Sequence, residues 1–139
     1  MYLFVYGTLL QNGNQFARYL NQHCDFIITG KIAGILYDIG EYPGLVIDHN
    51  ADYVFGSIYQ IRNAEVLKEI DIYEGVGADE EHPNLYLRIN HSFETAEGPI
   101  DAWVYIYNLP VKGFPRITSG DYKEYLRQKN PPIVKPEDL

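Results

Sequence analysis

Glu74 is the residue whose type and position best suit it to chemistry. It ends the stretch Asn63 to Tyr73, in which Val66, Leu67, Ile70 and Tyr73 recur at helical spacing and form one apolar face. Glu74 lies four residues past Ile70 and eight past Val66, so it shares that face. A carboxylate turned toward a core loses water, which favours its neutral form. The negative end of the helix dipole acts the same way, and Asp71, three residues earlier, adds a like charge. All three push the pKa upward, toward the range in which a carboxylate exchanges protons at neutral pH. The alternative is that the helix frays at Gly75 and Glu74 turns to solvent as an ordinary surface residue.

A second feature is Tyr6-Gly7-Thr8-Leu9, where an aromatic, β-branched run stops at a glycine. Successive backbone N–H groups in such a turn can form a nest for a carboxylate or an oxyanion, and glycine admits a ligand close to the backbone. Many strand–turn units contain the same pattern. A third is the set of thirteen tyrosines. In Ala102-Trp103-Val104-Tyr105-Ile106-Tyr107 the odd positions share one face of a strand. Trp103 reads as core; Tyr105 and Tyr107 can either line a pocket or complete the core with their hydroxyls at its rim. Arg88 can anchor a carboxylate or pair with one of the many acidic side chains. Asp121 reads as a cap or first-turn charge of the last helix.

Other chemistries lack their residues. The four histidines, His23, His49, His82 and His91, show no metal-ligand spacing, and no phosphate-binding glycine loop, dinucleotide fingerprint or serine nucleophile elbow occurs. No metal and no cofactor is expected. Cys24 is the single cysteine and reads as a buried small apolar residue, so no internal disulfide forms and a reducing compartment fits. The net charge is −8, and the eleven Lys and Arg are scattered from Arg18 to Lys135, which argues against nucleic-acid and anionic-membrane partners. Met1 to Tyr6 lacks the cationic start of a signal peptide, and no stretch reaches the ~20 apolar residues of a membrane span. A cytoplasmic protein is the expectation.

The elements that must position these residues follow from periodicity. Strands are expected at Tyr2 to Tyr6, Phe26 to Tyr37, Leu45 to Ile47, Tyr53 to Ile61, Leu85 to Phe93 and Ile100 to Tyr107. Helices are expected over Asn12 to His23, capped by Asn12 or Asn14, over Asn63 to Tyr73, and from Ser119 to about Gln128. Gly30 and Gly34 inside a strand pattern predict bends or bulges, and Tyr42-Pro43-Gly44 predicts a turn. The chain's 139 residues suit one core. The class is α+β: a small, bent, mainly antiparallel mixed β-barrel with short flanking helices, over residues 1–128, followed by an extended, proline-containing tail at 129–139.

In their order and spacing these segments resemble the γ-glutamylcyclotransferase-like family, which includes the plant avirulence-induced proteins and the γ-glutamylamine cyclotransferases. The resemblance rests on Phe4-Val5-Tyr6-Gly7-Thr8-Leu9, Gly34-Ile35-Leu36-Tyr37-Asp38, Tyr42-Pro43-Gly44-Leu45 and Val54-Phe55-Gly56-Ser57-Ile58-Tyr59. It continues through Ile70-Asp71-Ile72-Tyr73-Glu74-Gly75, Tyr86-x-Arg88, Ala102-Trp103-Val104-Tyr105-x-Tyr107 and Ile117-x-Ser119-Gly120-Asp121-Tyr122. It departs mildly at Ile70, Tyr73 and Tyr122, where Leu, Phe and Trp are common, and the loop from Gly75 to Asn84 is long and acidic. The resemblance implies an enzyme that releases 5-oxoproline and a free amine from a small γ-glutamyl substrate by intramolecular cyclisation. It implies Glu74 as general acid and base, and the backbone of Tyr6, Gly7, Thr8 and Leu9, with Tyr105, as substrate-binding groups. The alternatives are a non-catalytic binding module for the same kind of ligand, and amide hydrolysis, for which no second base or metal is visible.

Overall fold

The computed structural model describes residues 1–7, 15–40, 42–77 and 83–129. Strands β1 (Tyr2–Val5), β2 (Cys24–Asp38), β3 (Pro43–Ile47), β4 (Tyr53–Ile61), β5 (Tyr86–Phe93) and β6 (Ile100–Tyr107) form a six-stranded mixed sheet. Helices α1 (Gln15–His23), α2 (Ala64–Glu74) and α3 (Tyr122–Lys129) flank it. The strand order is β3-β2-β4-β1-β6-β5, and every pairing is antiparallel except that of β1 with β6. The sheet curls into a half-barrel. Lys31 of β2 and Glu94, just past β5, exchange two backbone hydrogen bonds of 3.0 Å, although four strand-to-strand steps separate their strands in the sheet order.

The alternation along β1 shows how one strand serves two cores. Leu3 and Val5 join a cluster with Leu20, Val66, Leu67, Ile70, Tyr86, Tyr105 and Tyr107, beneath α1 and α2. Phe4 and Tyr6 point the other way, into the curl, with Leu36, Leu45, Val54, Ile58, Phe93 and Val104. There the Phe4 and Phe93 rings stack at 4.2 Å, bridging strands that are not neighbours in the sheet.

The expected bends are in part where they were read. Ala33 is the last β2 residue paired with β4, and Gly34 the first paired with β3, so the strand changes partner at that glycine. Gly30 is no bulge: it lies in register opposite Gly56, and the register shift comes earlier, between Phe26 and Ile28. The last helix starts three residues later than its expected start at Ser119. Gly120 has φ +67°, which a right-handed helix excludes, and the Asp121 carboxylate accepts from the Glu124 N–H at 3.1 Å as the N-cap. Helix α3 is tied to the sheet through buried Asp38, which accepts from the Tyr125 hydroxyl at 2.5 Å, the Gly40 N–H at 2.9 Å and Lys129 Nζ at 3.2 Å. Burial alone raises a carboxylate's pKa; at Asp38 these bonds outweigh it and the pKa is lowered. The expected caps at Asn12 and Asn14, and the tail beyond Lys129, lie outside the described residues.

Gly56 sets the approach of β4 to β1. A Cβ there would stand 2.5 Å from the Val5 carbonyl oxygen and 2.6 Å from Phe4 Cζ, closer than atoms pack. Replacing Gly56 with Ala is expected to lower stability by about 2–3 kcal/mol, as overpacking at a rigid site does. A urea denaturation midpoint equal to that of the unchanged protein would contradict this packing.

Candidate functional site

Helix α2 is fixed at both ends. Asn63 accepts from the N–H groups of Glu65 (3.1 Å) and Val66 (3.3 Å), and Gly75, at φ +69°, closes the C-terminus with the Val76 N–H bonded to the Asp71 carbonyl at 2.9 Å. Val66, Leu67 and Ile70 are buried on its inner face, and Tyr73 packs against the same cluster. The helix therefore does not fray away from the sheet at Glu74. The side chain stays on the inner face and borders a small cleft that is partly open to solvent.

The cleft lies where the two parallel strands meet. The ladder of β1 with β6 registers at Leu3 and Trp103. Besides Glu74, the lining of the cleft is Leu3 to Gly7, Tyr42 and Pro43, Tyr86 and Tyr105. Gly7 is needed at the end of β1, because a Cβ there would lie 2.8 Å from Pro43 Cγ. The structure thus brings Glu74, Tyr6, Gly7 and Tyr105 to one place. Thr8 and Leu9 lie outside the described residues.

The hydroxyls are already engaged. Tyr6 donates to the Tyr105 carbonyl and accepts from the Leu45 N–H at 3.3 Å, so its hydroxyl braces β1 against β6 and β3. Tyr86 donates to the Pro43 carbonyl at 2.7 Å. Tyr105 donates to Asp71 Oδ1 at 2.6 Å. Burial above all raises the pKa of both Tyr86 and Tyr105; the charge of Glu74 comes next for Tyr86 and the hydrogen bond to Asp71 for Tyr105, so both remain neutral phenols. Tyr107 is buried beside Tyr86, their rings 5.7 Å apart, and does not line the cleft.

Burial pushes the Glu74 carboxyl up from 4.5 to about 7. The like-charge contribution expected from Asp71 is absent. Arg88 Nε and Nη2 hold the two Asp71 oxygens at 2.8 and 3.2 Å, and Tyr105 adds its hydroxyl, so that negative charge is neutralised where it stands. Arg88 is therefore an ion-pair partner, not a free anchor, and its guanidinium also lies 4.4 Å over the Trp103 ring. Sequence reasoning missed Tyr42, Pro43 and Tyr86 as lining residues; the only available signal was their presence in short aromatic–proline and Tyr-x-Arg segments. Among the described residues no group of three or more His, Cys, Asp or Glu side chains is placed to hold a metal, and no helix is long and apolar enough to cross a membrane. Cys24 is buried at the start of β2, and burial pushes its thiol up to about 11.

A carboxyl whose folded pKa exceeds its unfolded value adds stability that is fully present below about pH 4.5 and is lost as the pH rises through about 7. The rise is worth up to about 3 kcal/mol, trimmed to about 2 by the partial exposure of the side chain. Glu74→Gln is therefore expected to be more stable than the unchanged protein by about 2 kcal/mol at pH 8, with the gap closing below pH 5. Thermal midpoints measured across that range check it, and a gap independent of pH would contradict a desolvated Glu74.

The sequence profile of the family described as "Gamma-glutamyl cyclotransferase, AIG2-like" matches residues 3–124. A Vibrio cholerae relative is 37% identical over 123 residues, covering 86% of this chain and 93% of that protein. The gamma-glutamylcyclotransferase family protein YtfP of Escherichia coli K12 is 34% identical over 124 residues, covering 88% and 96%. The solution structure of Escherichia coli ytfP superposes with a TM-score of 0.65 at 31% identity, over 90% of this chain and 98% of that one. The crystal structure of YkqA from Bacillus subtilis gives 0.72 at 25% identity; it covers 95% of this chain, which spans only 44% of YkqA. The chain belongs to the gamma-glutamyl cyclotransferase, AIG2-like family.

Proposed function

We propose that this chain is a cyclotransferase that converts a γ-glutamyl amine or γ-glutamyl amino acid to 5-oxoproline and a free amine. The observation that carries the reading is Glu74: a carboxyl with a pKa near 7, facing a cleft whose described lining contains no Ser, Cys, His or second carboxylate. A reaction whose nucleophile belongs to the substrate needs no other reactive side chain. The substrate's α-amine arrives as an ammonium and gives one proton to ionised Glu74; the neutral amine then attacks its own γ-carbonyl carbon, and the new C–N bond closes the ring. Glu74 passes that proton to the departing nitrogen as the old C–N bond breaks, then takes the ring nitrogen's surplus proton and relays it to the freed amine. The cleft's part is to hold the γ-glutamyl chain folded, with the amine against the carbonyl.

No Lys or Arg lines the described cleft, and Arg88 is engaged by Asp71. The α-carboxylate is accordingly assigned to backbone N–H groups at Tyr6 and Gly7, and by sequence order at Thr8 and Leu9. Tyr105 contacts the same substrate. A net charge of −8 supports a small-molecule substrate over a nucleic-acid partner, and a free buried thiol fits a reducing, cytoplasmic setting.

The test is incubation with a panel of γ-glutamyl amines and amino acids, following 5-oxoproline by chromatography. Glu74→Gln is expected to lower turnover by a factor of about 100 to 10,000 while remaining folded, the range for loss of a general acid–base. As a base Glu74 must be ionised, so kcat/KM is expected to rise about tenfold per pH unit up to about 7 and then level. Free glutamate as product would point to hydrolysis, and tight binding without turnover would point to a binding module.

A further inference from the structure

The hydrogen-bond directions around the cleft determine which chemical group it can receive. A tyrosine hydroxyl has one proton to give and two lone pairs to offer. Tyr105 gives its proton to Asp71 Oδ1 at 2.6 Å, and Tyr86 gives its proton to the Pro43 carbonyl at 2.7 Å. Each hydroxyl has therefore already given its proton; both residues line the cleft beside Glu74, and what either hydroxyl can still offer a ligand is a lone pair. Glu74, on the same lining, presents a carboxyl. This wall is rich in acceptors, and the group that complements it is a donor with several N–H bonds and no lone pair to repel: an amine in its ammonium form.

The direction of the Tyr105 hydroxyl is imposed by neighbours outside the cleft. Asp71 sits one helical turn before Glu74 on α2, with a side-chain exposure of 18%, and does not line the cleft. It stays in place because the Arg88 guanidinium grips both its oxygens, and Arg88 is itself laid over Trp103. The chain of contacts runs from Trp103 of β6, through Arg88 of β5 and Asp71 of α2, back to Tyr105 of β6. An ionised carboxylate accepts and never donates, so the phenol proton is committed to Asp71.

We propose that the Asp71–Arg88 ion pair positions the Tyr105 hydroxyl as an obligate acceptor, and that Tyr105, supported by Tyr86, thereby recognises the substrate's α-amine. Asp71 and Arg88 are positioning residues. The inference rests on the γ-glutamyl reading of the site and adds which residues select for the amine.

The test is calorimetric binding in the Glu74→Gln background, which removes turnover, to two ligands: a γ-glutamyl alkylamide and the glutaric acid monoamide of the same alkylamine, which keeps the carboxylate and lacks the α-amine. The amine-bearing ligand is expected to bind at least tenfold more tightly. Adding Tyr105→Phe is expected to shrink that preference about tenfold, the weight of one hydrogen bond to a charged group, and to leave the Kd of the glutaric ligand unchanged. Asp71→Ala is expected to do the same. Asp71→Asn, whose amide oxygen can still accept from Tyr105, is expected to retain most of the preference, which a merely structural role for Asp71 would not produce. Circular dichroism confirms folding, and Tyr105→Phe keeps the ring and so carries the test alone if the Asp71 variants unfold. A preference unchanged by Tyr105→Phe overturns the inference. Loss of the preference in that variant, with no 5-oxoproline formed by the unchanged protein, sinks the cyclisation and leaves the inference standing; the converse result separates them the other way.

Discussion

Keeping one carboxylate partly out of water, at the C-terminal end of a helix, is the constraint around which this protein is built. Left to itself, the last turn of an eleven-residue helix frays, and a fraying end would return Glu74 to solvent and to an ordinary pKa. Three local devices prevent that. Asn63 and Gly75 close the two ends, and Val66, Leu67 and Ile70 sink the inner face into the cluster shared with Leu3 and Val5. The same two β1 residues border the cleft, so the packing that holds the helix also sets the distance between its end and the glycine at the end of β1. The desolvation of Glu74 works against folding by about 2 kcal/mol, against a total stability on the order of 5–15 kcal/mol for a domain of this kind. Such an outlay persists in a fold when a group is more useful perturbed than stable.

Asp71 and Glu74 show how closely environment rather than residue type decides a carboxylate's role. They stand one turn apart on α2. Asp71 is met by a guanidinium on two oxygens and by a phenol, which fixes it as a charge with a structural task. For Glu74 burial alone accounts for the displaced pKa. An ion pair beside a proton-exchanging group has a further effect. With Asp71 neutralised, the cleft does not carry two adjacent negative charges, which would repel the α-carboxylate of the proposed substrate.

How far the sequence reached depended on how local each cause was. The Asn63 cap, the apolar spacing and the stop at Gly75, separated by at most twelve residues, could be read directly, whereas the inward side of Glu74 stood beside a frayed alternative that the closed end at Gly75 removes. The face shared by Trp103, Tyr105 and Tyr107 was equally plain, because alternation along a strand requires only its neighbours. What failed was what arrives from far along the chain. Arg88 cancels the charge of Asp71 from across the sheet, and nothing in the spacing of Asp71 and Glu74 indicates that. Tyr86 and Pro43 meet in the cleft because β5 and β3 are brought together by the curl, 43 residues apart in sequence. Gly30, read as a bend or bulge, pairs in register with Gly56, and the register shift falls between Phe26 and Ile28, where composition gives no warning.

A substrate that supplies its own nucleophile relaxes what the protein must build. Hydrolysis of an amide at neutral pH requires an activated water or side chain, a base to activate it and a means of stabilising the tetrahedral intermediate. Cyclisation of a γ-glutamyl amide requires the folded conformer and one group able to move a proton from the attacking nitrogen to the departing one. Such a group works best when its pKa lies near the ambient pH, because it is then a competent base and a competent acid in the same turnover. Burial places Glu74 near that point. The rest of the described lining is apolar residues, glycine and tyrosines, groups that hold and orient without reacting, and the direction of the Tyr86 and Tyr105 hydroxyls is set by the bonds they already make. Under this reading the selectivity of the site resides less in a reactive constellation than in the direction of a few hydrogen bonds, which is why an ion pair outside the cleft can matter to what binds inside it.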